Sequence, residues 1–137
     1  MILFVCSGNT CRSPMACALA RAAGVDAQSA GLSAWPGAPA TPQAIRAAAR
    51  LGADLSGHRA RQVDEALLSQ ARQIWVMTDG IRAALCAMYP AFEARVDVLE
   101  PAIPDPYGRD DAAYDRCAQS LLYAMGRAGI LPPGTGA

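Results

Sequence analysis

Ten residues near the start of the chain, Val5-Cys6-Ser7-Gly8-Asn9-Thr10-Cys11-Arg12-Ser13-Pro14, constrain its fold more than any other stretch. Ile2 to Val5 is a short apolar run rich in β-formers, the composition of a buried central strand. Met15 to Ala23 is dominated by alanine, with leucine and methionine, and favours a helix. Ser13 stands where an N-cap is expected, and Pro14 suits the first helical turn. The segment therefore reads strand, tight loop, helix, with the backbone N–H groups of the loop converging on one point. That arrangement suits a phosphate-sized oxyanion. Cys6 opens the loop and Arg12 closes it. N–H dipoles and a guanidinium favour a thiolate over a thiol, and the planar fork of Arg12 can hold two oxygens of one anion. Nucleophile, anion cradle and charge clamp fall within seven residues, which points to phosphoryl transfer without a metal.

The spacing sharpens this reading. C-x5-R followed by Ser closes a loop just large enough to surround a tetrahedral anion, and the chain has no G-x-x-x-x-G-K-[ST] of a Walker-type loop. A bare C-x5-R also occurs as a buried structural cysteine beside an unrelated arginine; the whole string, set after a strand, favours the anion loop. Val5 to Pro14 resembles the signature of the low-molecular-weight protein-tyrosine-phosphatase family, and the resemblance runs from Ile2 to about Arg127.

The chain has 137 residues, enough for one domain with a sizeable core. The expected phosphatase domain spans residues 1–130, and residues 131–137 are expected to form a disordered tail. Twelve acidic residues balance twelve basic ones, all arginine, so no global field points to nucleic acid or a membrane surface. No signal peptide is expected, because the chain starts directly on a strand, and no apolar run reaches membrane-spanning length. The five cysteines are odd in number and lack paired C-x2-C spacing. They suit a reducing cytoplasm, and no metal site or cofactor is expected.

Further elements follow in order: a strand over Val25–Ser29, a loop from Gly31 to Pro42, and a helix over Gln43–Arg50 capped by Thr41. Leu55 to Arg61 reads as irregular, Asp64 opens a helix to Ala71, and Gln73–Met77 is a buried strand with Trp75 in the core. Thr78 and Asp79 cap a helix to Met88, Arg95–Leu99 is the fourth strand, and Ala112–Ala128 is the last helix. Strands alternating with helices predict an α/β fold: a single doubly wound, four-stranded parallel sheet with helices on both faces. Its ligand site is expected beyond the carboxyl ends of the strands, where Cys6 lies.

A phosphate ester needs its leaving group protonated. Asp105, between Pro104 and Pro106 on the loop after the fourth strand, is the candidate donor. On the residues alone a plain turn aspartate serves equally well; the family resemblance favours the acid, because Asp-Pro followed by Tyr107 matches its general-acid motif. Asp110 and Asp111 read instead as a solvated helix start.

The resemblance implies further roles. Cys6 corresponds to the nucleophile that forms a cysteinyl-phosphate, Arg12 to the phosphate clamp, and Asp105 to the acid and then the base. The amides of Ser7, Gly8, Asn9, Thr10, Cys11 and Arg12 would line the anion pocket, and the Ser13 hydroxyl would support the thiolate. Asn9, Ser29 and His58 match positions that brace the loop. Thr10, Trp35 and Tyr107 match the substrate pocket, and Cys11 a second cysteine able to form a reversible disulfide with Cys6. For Cys11 a small buried residue explains the position equally well.

The family implies hydrolysis of phosphotyrosine in a protein substrate. Leu85 to Pro90 and Ile103 to Tyr107 are similar to its bacterial branch, whose partners include tyrosine kinases. Thr10 departs from the bulky aliphatic residue usual in tyrosine-specific members and resembles bacterial protein-arginine phosphatases; the flat ring of Trp35 favours tyrosine. Arsenate reduction would need two further paired cysteines, whereas Cys86 and Cys117 stand alone. A non-catalytic oxyanion-binding module would be expected to lack Cys6, Arg12 or Asp105, and all are present.

Overall fold

The computed structural model describes residues 1–132. The elements run β1 (Ile2–Cys6), α1 (Arg12–Ala22), β2 (Ala27–Gly31), α2 (Pro42–Arg50), α3 (Glu65–Gln70), β3 (Gln73–Val76), α4 (Asp79–Met88), a 3-10 helix (Pro90–Arg95), β4 (Val96–Val98) and α5 (Asp111–Arg127). The four strands form one parallel sheet in the order β2-β1-β3-β4.

That order places the site. The chain leaves β1 in one direction to reach β2, then crosses to the other side for β3 and β4. Right-handed crossovers therefore put α1 and α4 on opposite faces of the sheet. β1 is central and all five of its residues are buried, as its apolar composition predicts. α1 is buried from Arg12 to Ala20, wedged between β1, β2 and α5, so its alanines serve close packing. α5 also packs on α2, and Tyr114, Leu121 and Met125 carry its buried face. The point where strand order reverses, between β1 and β3, opens at the carboxyl end of β1, where Cys6 ends the strand.

Several expectations need correction. α1 begins at Arg12, with Cys11 at its N-cap making no side-chain cap bond. Ser13 is thus inside the helix and fully buried; its hydroxyl faces Cys6 instead of an orphan amide. β2 spans Ala27–Gly31, not Val25–Ser29. The reason lies at the end of α1. The N–H of Gly24, at φ 85°, donates to Arg21 O, and the N–H of Val25 donates to Ala20 O. This is a Schellman closure, and it consumes the amide that a strand at Val25 would have offered. β4 is shorter than expected because Arg95 ends the 3-10 helix, a six-residue element too short to leave a periodic signal. Trp75 is only half-buried: Ile74 and Val76 take the buried positions of β3, and its indole N–H donates to Gln73 Oε1 at 3.0 Å on an exposed surface. Leu131, expected in a disordered tail, is buried against the core with Ile130. The remainder of that expectation, residues 133–137, lies outside the described residues.

Candidate active site

The loop from Ser7 to Cys11 is held from beneath by one residue. Asn9 is fully buried and left-handed, with φ 57°, a conformation asparagine tolerates better than most side chains. Its Nδ2 donates to Ser13 Oγ at 2.9 Å and to Ser29 Oγ at 3.0 Å. Its Oδ1 accepts the Arg61 N–H at 2.9 Å, and its carbonyl accepts from His58 Nε2 at 2.7 Å. The expected loop supports, Asn9, Ser29 and His58, therefore meet in one network.

A carbonyl can only accept, so His58 carries its proton on Nε2. Burial lowers the pKa of His58; the bond to Asn9 opposes that shift and the nearby Arg21 and Arg59 charges add to it. His58 is therefore a neutral brace outside the reaction pocket.

Sequence reasoning missed Gly31. A β-carbon there would stand 2.7 Å from Ser7 O and 3.0 Å from Asn9 N, so any side chain would push the loop off β2. It also missed the backbone partners, the Arg61 amide and the Ile103 carbonyl. A backbone group leaves no residue-type signal.

Above this base sit the reactive groups. Cys6 Sγ lies 2.9 Å from Ser13 Oγ and receives the Asn9 N–H at 3.3 Å. Ser13 Oγ already accepts from Asn9, so its proton is free, and the sulfur is nearer than its other partner, Ala30 O at 3.4 Å. Arg12 is 5% exposed; its Nη1 donates to Ile103 O at 3.0 Å and its Nη2 lies 3.7 Å from Asp105 Oδ2. The carboxylate of Asp105 is half-exposed, and its Oδ1 accepts the Tyr107 N–H at 3.1 Å. Between Ser7 and Cys11, only the N–H of Asn9 donates to a protein atom among the described residues.

These groups surround a cavity of about 150 Å³ lined by Cys6, Gly8, Thr10, Cys11, Arg12, Asp105 and Tyr107. A larger cavity, about 520 Å³, lies behind the loop against α1; of the expected site residues only His58 reaches it. Chemistry, and not size, marks the site. Trp35 is 81% exposed and is not part of the lining, whereas Tyr107, the other expected aromatic wall, is.

Cys11 reaches the same cavity as Cys6 while its sulfur packs 3.3 Å from Tyr114 Oη and 3.7 Å from Thr41 Oγ1. Burial, with the Cys11 contact adding to it, pushes the Tyr114 phenol up to about 12. Cys117 is likewise pushed up to about 12, mainly by burial, and Cys17 is raised for the same reason. Buried thiols of this kind are poor nucleophiles.

A cysteine at the end of a central strand, an arginine at the first turn of the next helix and a loop of free amides between them form an anion-binding arrangement on a doubly wound sheet. The comparisons agree. A family model described as low molecular weight phosphotyrosine protein phosphatase matches residues 1–126. The chain is 38% identical over 126 residues to the probable low molecular weight protein-tyrosine-phosphatase EpsP of Ralstonia nicotianae, covering 88% of this chain and 87% of that one. It is 33% identical over 134 residues to a protein-arginine-phosphatase of Geobacillus stearothermophilus, covering 90% and 89%. Among solved structures, Vibrio vulnificus Wzb in complex with benzylphosphonate superposes with a TM-score of 0.88 at 30% identity, covering 94% of this chain and 95% of that one. The chain belongs to the low-molecular-weight protein-tyrosine-phosphatase family, in company with bacterial members.

Proposed function

We propose that the protein hydrolyses phosphotyrosine in protein substrates through a cysteinyl-phosphate intermediate. One observation carries this: the Cys6 sulfur, the Arg12 guanidinium and the Asp105 carboxyl face a single small cavity. The phosphoryl oxygens take the loop amides and the Arg12 fork, which leaves the Cys6 thiolate in line with the ester bond. Ser13 Oγ–H and the Asn9 N–H hold the charge on sulfur. As sulfur attacks phosphorus, the P–O bond to tyrosine breaks and protonated Asp105 gives its proton to the leaving phenolate. Asp105, now ionised, takes a proton from the water that attacks the cysteinyl-phosphate, and phosphate and the thiolate are released.

Tyr107 supports the tyrosine reading as a wall for a phenyl ring. A second reading rests on Thr10, which lines the same cavity, and on the Geobacillus relative: cleavage of the P–N bond of phosphoarginine. Phosphate release from matched phosphotyrosine and phosphoarginine peptides decides between them. A tyrosine preference supports the first reading, an arginine preference makes Thr10 the specificity residue, and silence on both removes the assignment. A phosphorylated protein is the partner in either case, and under the first reading a bacterial tyrosine kinase is the natural counterpart. No helix among the described residues is long and apolar enough to cross a membrane, and the free thiols fit a cytoplasmic compartment.

A further inference from the structure

Asp105 also lines a second cavity, of about 120 Å³, on the far side of its loop. The wall opposite is one face of α5, where Ala113, Arg116, Cys117 and Ser120 fall at helical spacing; Arg109 closes the end. The charges around this cavity are unevenly matched. Asp111 takes two hydrogen bonds from Arg46, at 2.9 and 2.8 Å, and Asp115 takes two from Arg50, at 2.8 and 2.6 Å. Both carboxylates are thus engaged by α2. Asp105 faces Arg12, and Asp110 caps α5 by accepting the Ala113 N–H. Arg109 and Arg116 have no ion-pair or hydrogen-bond partner for their side chains among the described residues. Two uncompensated guanidiniums and the Ser120 hydroxyl therefore border a space sized for one small oxyanion.

We propose that this cavity receives a side-chain oxyanion, a carboxylate or a second phosphate, from a substrate residue next to the phosphorylated one. The preferred substrate is thus an acidic peptide segment. This inference rests on the phosphatase reading above, and the Asp105 carboxylate, which faces the Arg12 guanidinium, is already engaged by a positive charge. A single loop separates the two cavities, and an extended peptide advances about 3.3–3.6 Å per residue, so a neighbour one or two positions away can reach across. Arginine forks bind carboxylate and phosphate alike.

The test uses phosphotyrosine peptides of one sequence with flanking Glu, Gln or phosphoserine, on the wild type and on the double variant Arg109→Gln, Arg116→Gln. The wild type is expected to favour the Glu or phosphoserine peptide over the Gln peptide by roughly three- to tenfold in kcat/KM, the range of one partly enclosed charge pair. The double variant should lose that preference while hydrolysing p-nitrophenyl phosphate within about twofold of wild type. Comparing the Glu and phosphoserine arms identifies which oxyanion the cavity takes. An equal rate on all peptides in the wild type overturns the proposal, as does a preference that survives in the double variant. The affinity of Cys6→Ser for the same peptides reads the subsite without turnover. Absence of p-nitrophenyl phosphate hydrolysis would therefore sink the phosphatase reading while the affinity ratio still decides the subsite.

Discussion

The hydroxyl of Ser13 lies 2.9 Å from the sulfur of Cys6, although the two residues are separated by the whole anion loop. The contact exists because α1 starts at Arg12, which turns Ser13 inward beneath the end of β1. Losing a hydrogen bond to a charged group costs about 1.5–3 kcal/mol. Ser13→Ala should accordingly lower kcat/KM by roughly ten- to a hundredfold and slow inactivation by iodoacetate at neutral pH. Unchanged alkylation would mean that the hydroxyl serves packing alone.

Under the proposed mechanism, Asp105→Asn removes the proton that the leaving phenolate needs. Its kcat on phosphotyrosine peptide should fall by about a hundredfold or more, with less effect on substrates whose leaving group is already acidic. Steady-state rates across a series of aryl phosphates test this. A uniform loss across the series would give Asp105 a role in holding Arg12 instead.

Cys6 and Cys11 line one cavity, and the reversible disulfide between them that the family resemblance implies can be tested directly. Peroxide should oxidise the Cys6 thiolate to a sulfenic acid; Cys11 then displaces water to form the disulfide. Dithiothreitol should restore most activity to wild type and little to Cys11→Ser. Equal recovery in both would leave Cys11 as a small packed residue.

His58 titrates in a direction that can be read from stability. Its pKa is lowered from 6.5 in the folded chain, so near that value the unfolded chain binds more protons. Stability from this group is then complete above about pH 6.5 and declines as pH falls toward the lowered folded pKa. His58→Gln keeps a donor for Asn9 O but does not titrate, and its Tm should fall less than that of wild type between pH 7 and 5. Parallel curves would refute the assignment of a buried, neutral His58.

The strand-loop-helix frame of the anion loop was legible because it is contiguous: Cys6 to Arg12, with a strand before and a helix after, is a local pattern. Its support was less so. Asn9 could be named, but the Arg61 amide and the Ile103 carbonyl that complete the network belong to the backbone of distant segments. Gly31 matters only because Ser7 O passes within 2.7 Å of where its β-carbon would be, a three-dimensional fact. Val25 misled by composition: its β-branched side chain suggested a strand, while its amide was claimed by the end of α1. Trp35 had the right spacing for a pocket wall, yet spacing along a loop does not fix where an indole points.

The four contacts of Asn9 come from the helix that follows β1, from β2 and from residues 58–61, so the loop is held by pieces far apart in the chain. No fragment holding only the first strand and helix can present the loop in its working shape. Catalysis is thereby a readout of complete folding. In a urea titration, phosphate release and the loss of helical circular dichroism should share one midpoint, and a proteolytic nick between the second strand and the third should silence the enzyme even where both halves remain helical.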